Sequence, residues 1–118
     1  MKKELSYPQF YLLHFLSEHG PTKMSELKEH LAVTGAGITG LVDHLIKKGL
    51  ITRQYSRTDR RVVHAIITDQ GRTVLNEIIE RRREFLAALF SRMDDTEQHL
   101  VEETFTILLS KLQEYEGT

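Results

Sequence analysis

The chain has 118 residues, 40% hydrophobic and 28% charged, with a formal net charge of −1 and no cysteine. That is one domain of ordinary composition, too short for a dinucleotide fold plus a second substrate domain. The missing cysteines exclude disulfides, thiolate metal ligation and thiol redox sensing, and no apolar run reaches the ~20 residues a membrane span needs.

MKKELSYPQF, at the N-terminus, lacks the apolar core of a secretory signal, so a cytoplasmic location and no membrane contact are expected. Ser6 followed by Gln9 reads as a capping box with Pro8 in the first turn. Phe10, Leu12, Leu13, Phe15 and Leu16 then recur at helical spacing until Gly20-Pro21 ends the helix. TKMSELKEHLAV predicts a short second helix, capped by Thr22 or Ser25, with Met24, Leu27 and Leu31 on its buried side. Thr34 can cap a third, in which Ile38, Leu41, Val42, Leu45 and Ile46 form the apolar seam. Lys47 and Lys48 suit its last turn, and Gly49 a left-handed C-cap.

LITRQY and VVHAII are rich in β-branched residues and only SRTDRR separates them, which predicts an antiparallel hairpin. Thr68 caps a long helix whose Val74, Leu75, Ile78, Ile79, Leu86, Leu89 and Phe90 keep one side apolar to about residue 92. Asp94 with Glu97 forms a second capping box, opening a last helix with Leu100, Val101, Ile107, Leu108 and Leu112.

Charge is distributed unevenly along these elements. Between residues 44 and 64, six cations (Lys47, Lys48, Arg53, Arg57, Arg60 and Arg61) accompany the single anion Asp59, whereas seven carboxylates between 94 and 118 accompany only Lys111. Such asymmetry is a mark of nucleic-acid contact. Arg81, Arg82 and Arg83 are a different matter: consecutive helix positions point in three directions, and Glu77, Glu80 and Glu84 are within reach as ion-pair partners.

GAGITG, residues 35–40, matches the G-x-G-x-x-G of dinucleotide-binding turns, but that motif needs a buried parallel strand before it. Here Glu26, Lys28, Glu29 and His30 precede it, and the strands that follow form a hairpin. The glycines therefore belong to a helix with a bare outer face of Ala36, Thr39, Gly40 and Asp43, flanked by Gly37 and His44. Each interior glycine costs about 0.8–1 kcal/mol relative to alanine, so such a face serves close approach, either to another helix or to a ligand surface.

The order helix, short helix, turn, amphipathic helix and basic hairpin favours a DNA ligand, because the second helix of a helix-turn-helix can enter the major groove. Arg57, Arg60 and Arg61 on a short turn suit phosphates or a narrow minor groove. The stretches SYPQFYLLHFLSEHGPTKMSEL, VTGAGITGLVDHLIKKGLI and above all DRRVVHAIITDQG resemble the MarR family of bacterial transcription regulators. The resemblance runs from about Leu5 to Gly71 and continues more loosely to the end. It implies that Arg61 is the wing arginine of the minor groove and Asp59 the carboxylate that orients it. As a turn residue in RTDR, Asp59 also has an ordinary structural explanation.

The expected fold is mostly α with a small antiparallel β-hairpin: a winged helix-turn-helix with long C-terminal dimerisation helices. Residues 6–68 would bind DNA and 69–118 would dimerise, within a single compact domain. The recognition helix spans about 34–48, for the major groove, and the wing 56–61. The DNA-contacting set is Thr34, Gly35, Ala36, Gly37, Thr39, Gly40, His44, Arg53, Arg57, Asp59, Arg60 and Arg61. Glycine at 35, 37 and 40 departs from the family's usual polar or basic outer face and points to backbone fit and DNA shape.

The expected partners are a palindromic double-stranded operator and a second copy of the chain. Only Met1 to Leu5 precede the first cap, where the family has a further helix, so the dimer is expected to lean on Leu86, Leu89, Phe90, Leu100, Ile107, Leu108 and Leu112. The resemblance also implies a small aromatic effector, and Tyr7, Phe10, Tyr11 and His14 are its candidate contacts, with core or interface packing as the competing role. No cofactor, metal or catalytic set is legible: His14 and His19, five apart, do not share a helix face. A winged helix used only for protein contacts is the alternative, separable by the salt dependence of binding.

Overall fold

In the computed structural model, residues 5–31 and 35–117 are described, with backbone alone at 35, 36 and 117. Helix α1 (Tyr7–His19) is followed by strand β1 (Thr22–Lys23), α2 (Met24–Leu31), α3 (Gly35–Lys47), β2 (Ile51–Tyr55), β3 (Val63–Ile67), α4 (Asp69–Ser91) and α5 (Asp95–Gly117). The fold is a winged helix-turn-helix, mostly α, with a small antiparallel sheet. The chain clusters into two compact units, Met1–Ile79 and Glu80–Thr118.

Local chemistry sets the helix ends. Ser6 Oγ accepts from Gln9 N at 3.3 Å while Gln9 Oε1 accepts from Ser6 N at 2.9 Å, closing the expected capping box. The end of α3 is a Schellman motif: Gly49 N donates to Ile46 O at 2.9 Å and Leu50 N to Leu45 O at 3.0 Å, with Gly49 at φ 78°. A glycine holds that left-handed position without the steric penalty of a Cβ.

The start of α2 differs from expectation. Thr22 is no helix cap. It pairs with Ala65 as part of β1, so the sheet has three strands in the order β1-β3-β2 rather than two. Its hydroxyl donates to Gly20 O at 2.9 Å, and Ser25, the other expected cap, lies inside α2. Glu26 serves the helix start instead, its Oε1 accepting from Lys23 N at 3.2 Å.

β2 and β3 pair antiparallel from Ile51↔Ile67 to Tyr55↔Val63. The hairpin's root is tied to α4. Thr68 N donates to Leu50 O at 3.0 Å, and Thr68 Oγ1 donates to Gly49 O at 2.7 Å while accepting from Gly71 N at 3.0 Å. Gly71 passes so close to Leu50 that a Cβ there would lie 2.2 Å from the Leu50 carbonyl oxygen. That approach, more than any turn conformation, explains the glycine of DQG.

One core fills the first unit. Leu12, Leu13 and Leu16 of α1, Leu27 of α2, Ile38, Val42 and Leu45 of α3, Ile51, Ala65 and Ile67 of the sheet and Leu75 of α4 are all buried together. Each fully buried leucine or isoleucine contributes about 1.5–3 kcal/mol, so α3 is held by its seam and leaves its opposite face to solvent.

The second unit is built on the turn between α4 and α5. Asp94 Oδ1 accepts from Glu97 N at 2.8 Å and Glu97 Oε1 from Asp94 N at 3.0 Å, the second capping box. Gln98 Nε2 donates to Phe90 O at 2.8 Å and Met93 O at 3.2 Å, covering one carbonyl at the end of α4 and one in the turn that follows. Arg83 pairs with Glu80 at 3.1 Å, as expected of an ion-paired helix surface.

Candidate nucleic-acid interface

The face of α3 opposite its seam is low and open. Gly37, Thr39, Gly40 and His44 are exposed, and a Cβ built on Gly40 would meet nothing within 4 Å. A shallow groove between α2 and α3, lined in part by Ser25 and Lys28 on one side and Thr39, Gly40 and Asp43 on the other, extends this surface. Gly35 and Ala36 lie in the first turn of α3, and Thr34 falls outside the described residues. Because the side chains are small, another rigid surface can approach the α3 backbone closely.

The wing loop is organised by Ser56. Its Oγ accepts from Thr58 N and Asp59 N, both at 3.3 Å, while Ser56 N donates to Val62 O and Val62 N to Asp59 O, each at 3.0 Å. Asp59 is thereby turned toward Arg61. Its Oδ1 accepts from Arg61 N at 3.0 Å and Nε at 3.1 Å, and Oδ2 accepts from Nη2 at 3.3 Å. The Arg61 side chain hydrogen bond, with the backbone one beside it, holds the Asp59 carboxyl below the usual carboxylate range. Arg61 remains 91% exposed, so the guanidinium is oriented by Asp59 yet still open to a polyanion. Arg57 and Arg60 are exposed on the same loop.

Arg53 has a different environment from the loop arginines. In β2 it alternates with Thr52 and Gln54 and shares the face of buried Ile51, where its Nη2 pairs with Asp43 Oδ1 of α3. Composition alone counts Arg53 among the wing cations, but β-strand alternation already places it on the inner face. From helix phase alone, Asp43 falls on the bare face of α3. Tyr55, two residues beyond Arg53 on the same strand face and 57% exposed, is marked by no sequence motif.

The aromatic set on α1 forms two ridges. Tyr7 and Tyr11 stack with centroids 6.3 Å apart, and Phe10 and His14 stack at 5.8 Å. Tyr7 and Tyr11 are exposed, Phe10 packs partly on the core, and His14 Nδ1 lies 3.8 Å from Glu18 Oε1. In the second unit Leu86, Leu89, Leu100, Ile107, Leu108 and Leu112 are all exposed, and Phe90 is half-buried.

A helix-turn-helix joined to an arginine-tipped hairpin agrees with the comparisons to known proteins. The family model of the MarR family matches residues 5–63. The HTH-type transcriptional regulator YpoP of Bacillus subtilis is 37% identical over 94% of this chain and 79% of its own length. The chain belongs to the MarR family. The HTH-type transcriptional repressor MdtR of the same organism is 31% identical over 81% of this chain and 62% of its own. Among solved structures, the YusO protein from Bacillus subtilis superposes with a TM-score of 0.79 at 30% identity, covering 91% of this chain and 75% of that one. As in the MarR family generally, the chain is a DNA-binding transcriptional regulator and not an enzyme. Among the described residues no helix is long and apolar enough to cross a membrane, and no cluster of His, Asp or Glu could hold a metal ion.

Proposed function

We propose that the protein is a homodimeric, cytoplasmic repressor that binds a palindromic operator, with α3 in the major groove and the wing in the adjacent minor groove. The observation that carries this reading is the Asp59-oriented, exposed Arg61 fork on the same unit as the bare face of α3. A narrow minor groove concentrates negative potential and favours arginine, and a pre-oriented guanidinium loses less rotamer freedom on entering it. Thr39 and His44 would meet base edges or phosphates, Gly35, Gly37 and Gly40 with Ala36 would let the helix sit deep, and Thr34, Arg57 and Arg60 would meet the backbone.

In this reading residues 6–68 carry the DNA surface and 69–118 the dimer. The exposed apolar residues of α4 and α5 supply a dimer surface, and two-fold symmetry supplies half-sites about 34 Å apart. The name of MdtR, a repressor, supports the sign of regulation. An aromatic effector would stack beside Tyr7 and Tyr11, with Phe10 and His14 as its neighbours.

The test is binding to duplexes selected from a random-sequence pool. Log affinity should fall linearly with log salt, and Arg61→Ala should weaken binding by about 1–3 kcal/mol with an unchanged thermal melt. A flat salt response would instead favour a protein-contact module.

A further inference from the structure

We infer that Asp43 and Arg53 are positioning residues that clamp the recognition helix to the wing, and that Arg53 is not a phosphate contact. The inference rests on the DNA-binding reading above and concerns how its two gripping elements keep their relative placement.

Asp43 lies four residues after Thr39 and three after Gly40, which puts all three on one stripe of α3. A carboxylate on a stripe that faces DNA is, taken alone, unfavourable, because it repels phosphates. Here it does not stand alone. Arg53 arrives from the middle of β2, on the strand face that also carries Ile51, and its guanidinium pairs with the Asp43 carboxylate. The side chains are 30% and 48% exposed, so the pair contributes little to folding stability.

What the pair does supply is geometry. Lys48, Gly49 and Leu50 are the only covalent link between α3 and β2, and the core contacts of α3 lie on its opposite side. The seam of α3 already packs with Ile51 in the shared core, and the ion pair adds a polar connection between helix and strand on the side where both would meet a duplex. The Arg53 guanidinium is held between two elements and 30% exposed, whereas that of Arg61, although oriented by Asp59, is 91% exposed, and moving Arg53 to a phosphate would expose the Asp43 carboxylate to the same phosphates. Two surfaces that must enter adjacent grooves together lose affinity when their relative placement is loosened, even where no contact to the ligand is removed.

The experiment measures affinity and salt slope on one duplex, selected from a random-sequence pool by the wild-type protein. The near-isosteric variants Asp43→Asn and Arg53→Gln, the double variant and Asp43→Glu are compared, each at a temperature where circular dichroism shows it folded. Simple charge reasoning expects Asp43→Asn to tighten binding, since an anion leaves the DNA face. The clamp requires the reverse: each single variant weakens binding by about three- to thirtyfold, and the double variant is no weaker than the worse single. The salt slope stays at its wild-type value, and Asp43→Glu, which keeps the charge, binds better than Asp43→Asn.

Binding by Asp43→Asn that equals or exceeds wild type overturns the clamp. So does an Arg53→Gln slope shallower by about 0.9, the signature of one lost phosphate contact. Asp43→Glu binding no better than Asp43→Asn overturns it as well. Wild-type protein that retains no duplex at all overturns the DNA-binding reading and the clamp with it, whereas the other failures, seen beside normal wild-type binding, remove the clamp alone.

Discussion

The two units of the chain use the same amphipathic vocabulary with opposite results. In residues 5–79 the seams of α1, α2, α3 and the start of α4 cover one another, and Leu12, Leu13, Leu16, Val42 and Leu45 are fully buried. In residues 80–117 the large apolar side chains of α5 stay open, with Leu100, Phe105, Ile107, Leu108, Leu109 and Leu112 each 50% exposed or more. Ile107, Leu108 and Leu109 are consecutive, so no single neighbouring helix could cover all three. A helix apolar around much of its circumference calls for cover on more than one side. Periodicity tells which side of a helix is apolar. It does not tell whether the cover comes from the same chain.

The contrast can be broken most forcefully in the first unit. Gly71→Ala puts a methyl against the Leu50 carbonyl oxygen at 2.2 Å, so either α4 or the wing root must shift. A loss of about 3 kcal/mol or more of stability is expected in chemical denaturation, beyond the usual range of overpacking because the obstacle is backbone. Leu108→Glu in the second unit should act quite differently. Its side chain is 57% exposed, so the fold of residues 5–79 should survive, while light scattering should show the mass falling from dimer to the 13.7 kDa monomer. The wild-type melting temperature should also rise with protein concentration, as that of Leu108→Glu should not. A concentration-independent 13.7 kDa species for the wild type would remove the dimer.

A finer test separates stability from function within α3. Gly40→Ala meets open space and should raise stability by about 0.8–1 kcal/mol, the ordinary helix preference for alanine. If the bare face lies against DNA, the same methyl should lower affinity. A variant both more stable and equally tight would show that the glycine serves something else. The smallest effect expected concerns pH. The Asp59 carboxyl is held below the usual carboxylate range by Arg61, so its pairing is complete above that range and is lost only as pH falls through the depressed value. DNA affinity should accordingly show no Asp59-dependent step between mildly acidic and neutral pH, checked by comparing wild type with Asp59→Asn.

Much of the fold is legible in the residues because much of it is local. The Ser6/Gln9 and Asp94/Glu97 boxes and the Gly49 cap are each decided within a few positions, and all three form as the sequence predicts. GAGITG is correctly read as helix because its neighbours, rather than its glycines, carry the information. β1 is missed because two residues cannot display a period of two, and Thr22 carries a hydroxyl that suits a cap equally well. The Asp43–Arg53 pair is missed for another reason. Its partners are ten residues apart and belong to different elements, so only the strand alternation of Ile51 and Arg53, combined with the helix phase of Asp43, could have brought them together.

The wing is anchored at one end and self-contained at the other. At its base the Thr68 hydroxyl, the Leu50 carbonyl and Gly71 interlock, whereas the loop from Ser56 to Val62 closes on itself through the hydroxyl of Ser56 and the carbonyl of Asp59. Residues 56–62 thus form an exchangeable cassette. A loop of other length or charge grafted between Tyr55 and Val63 would inherit a ready-made footing, so that the wing tip could change without re-engineering the body that carries it.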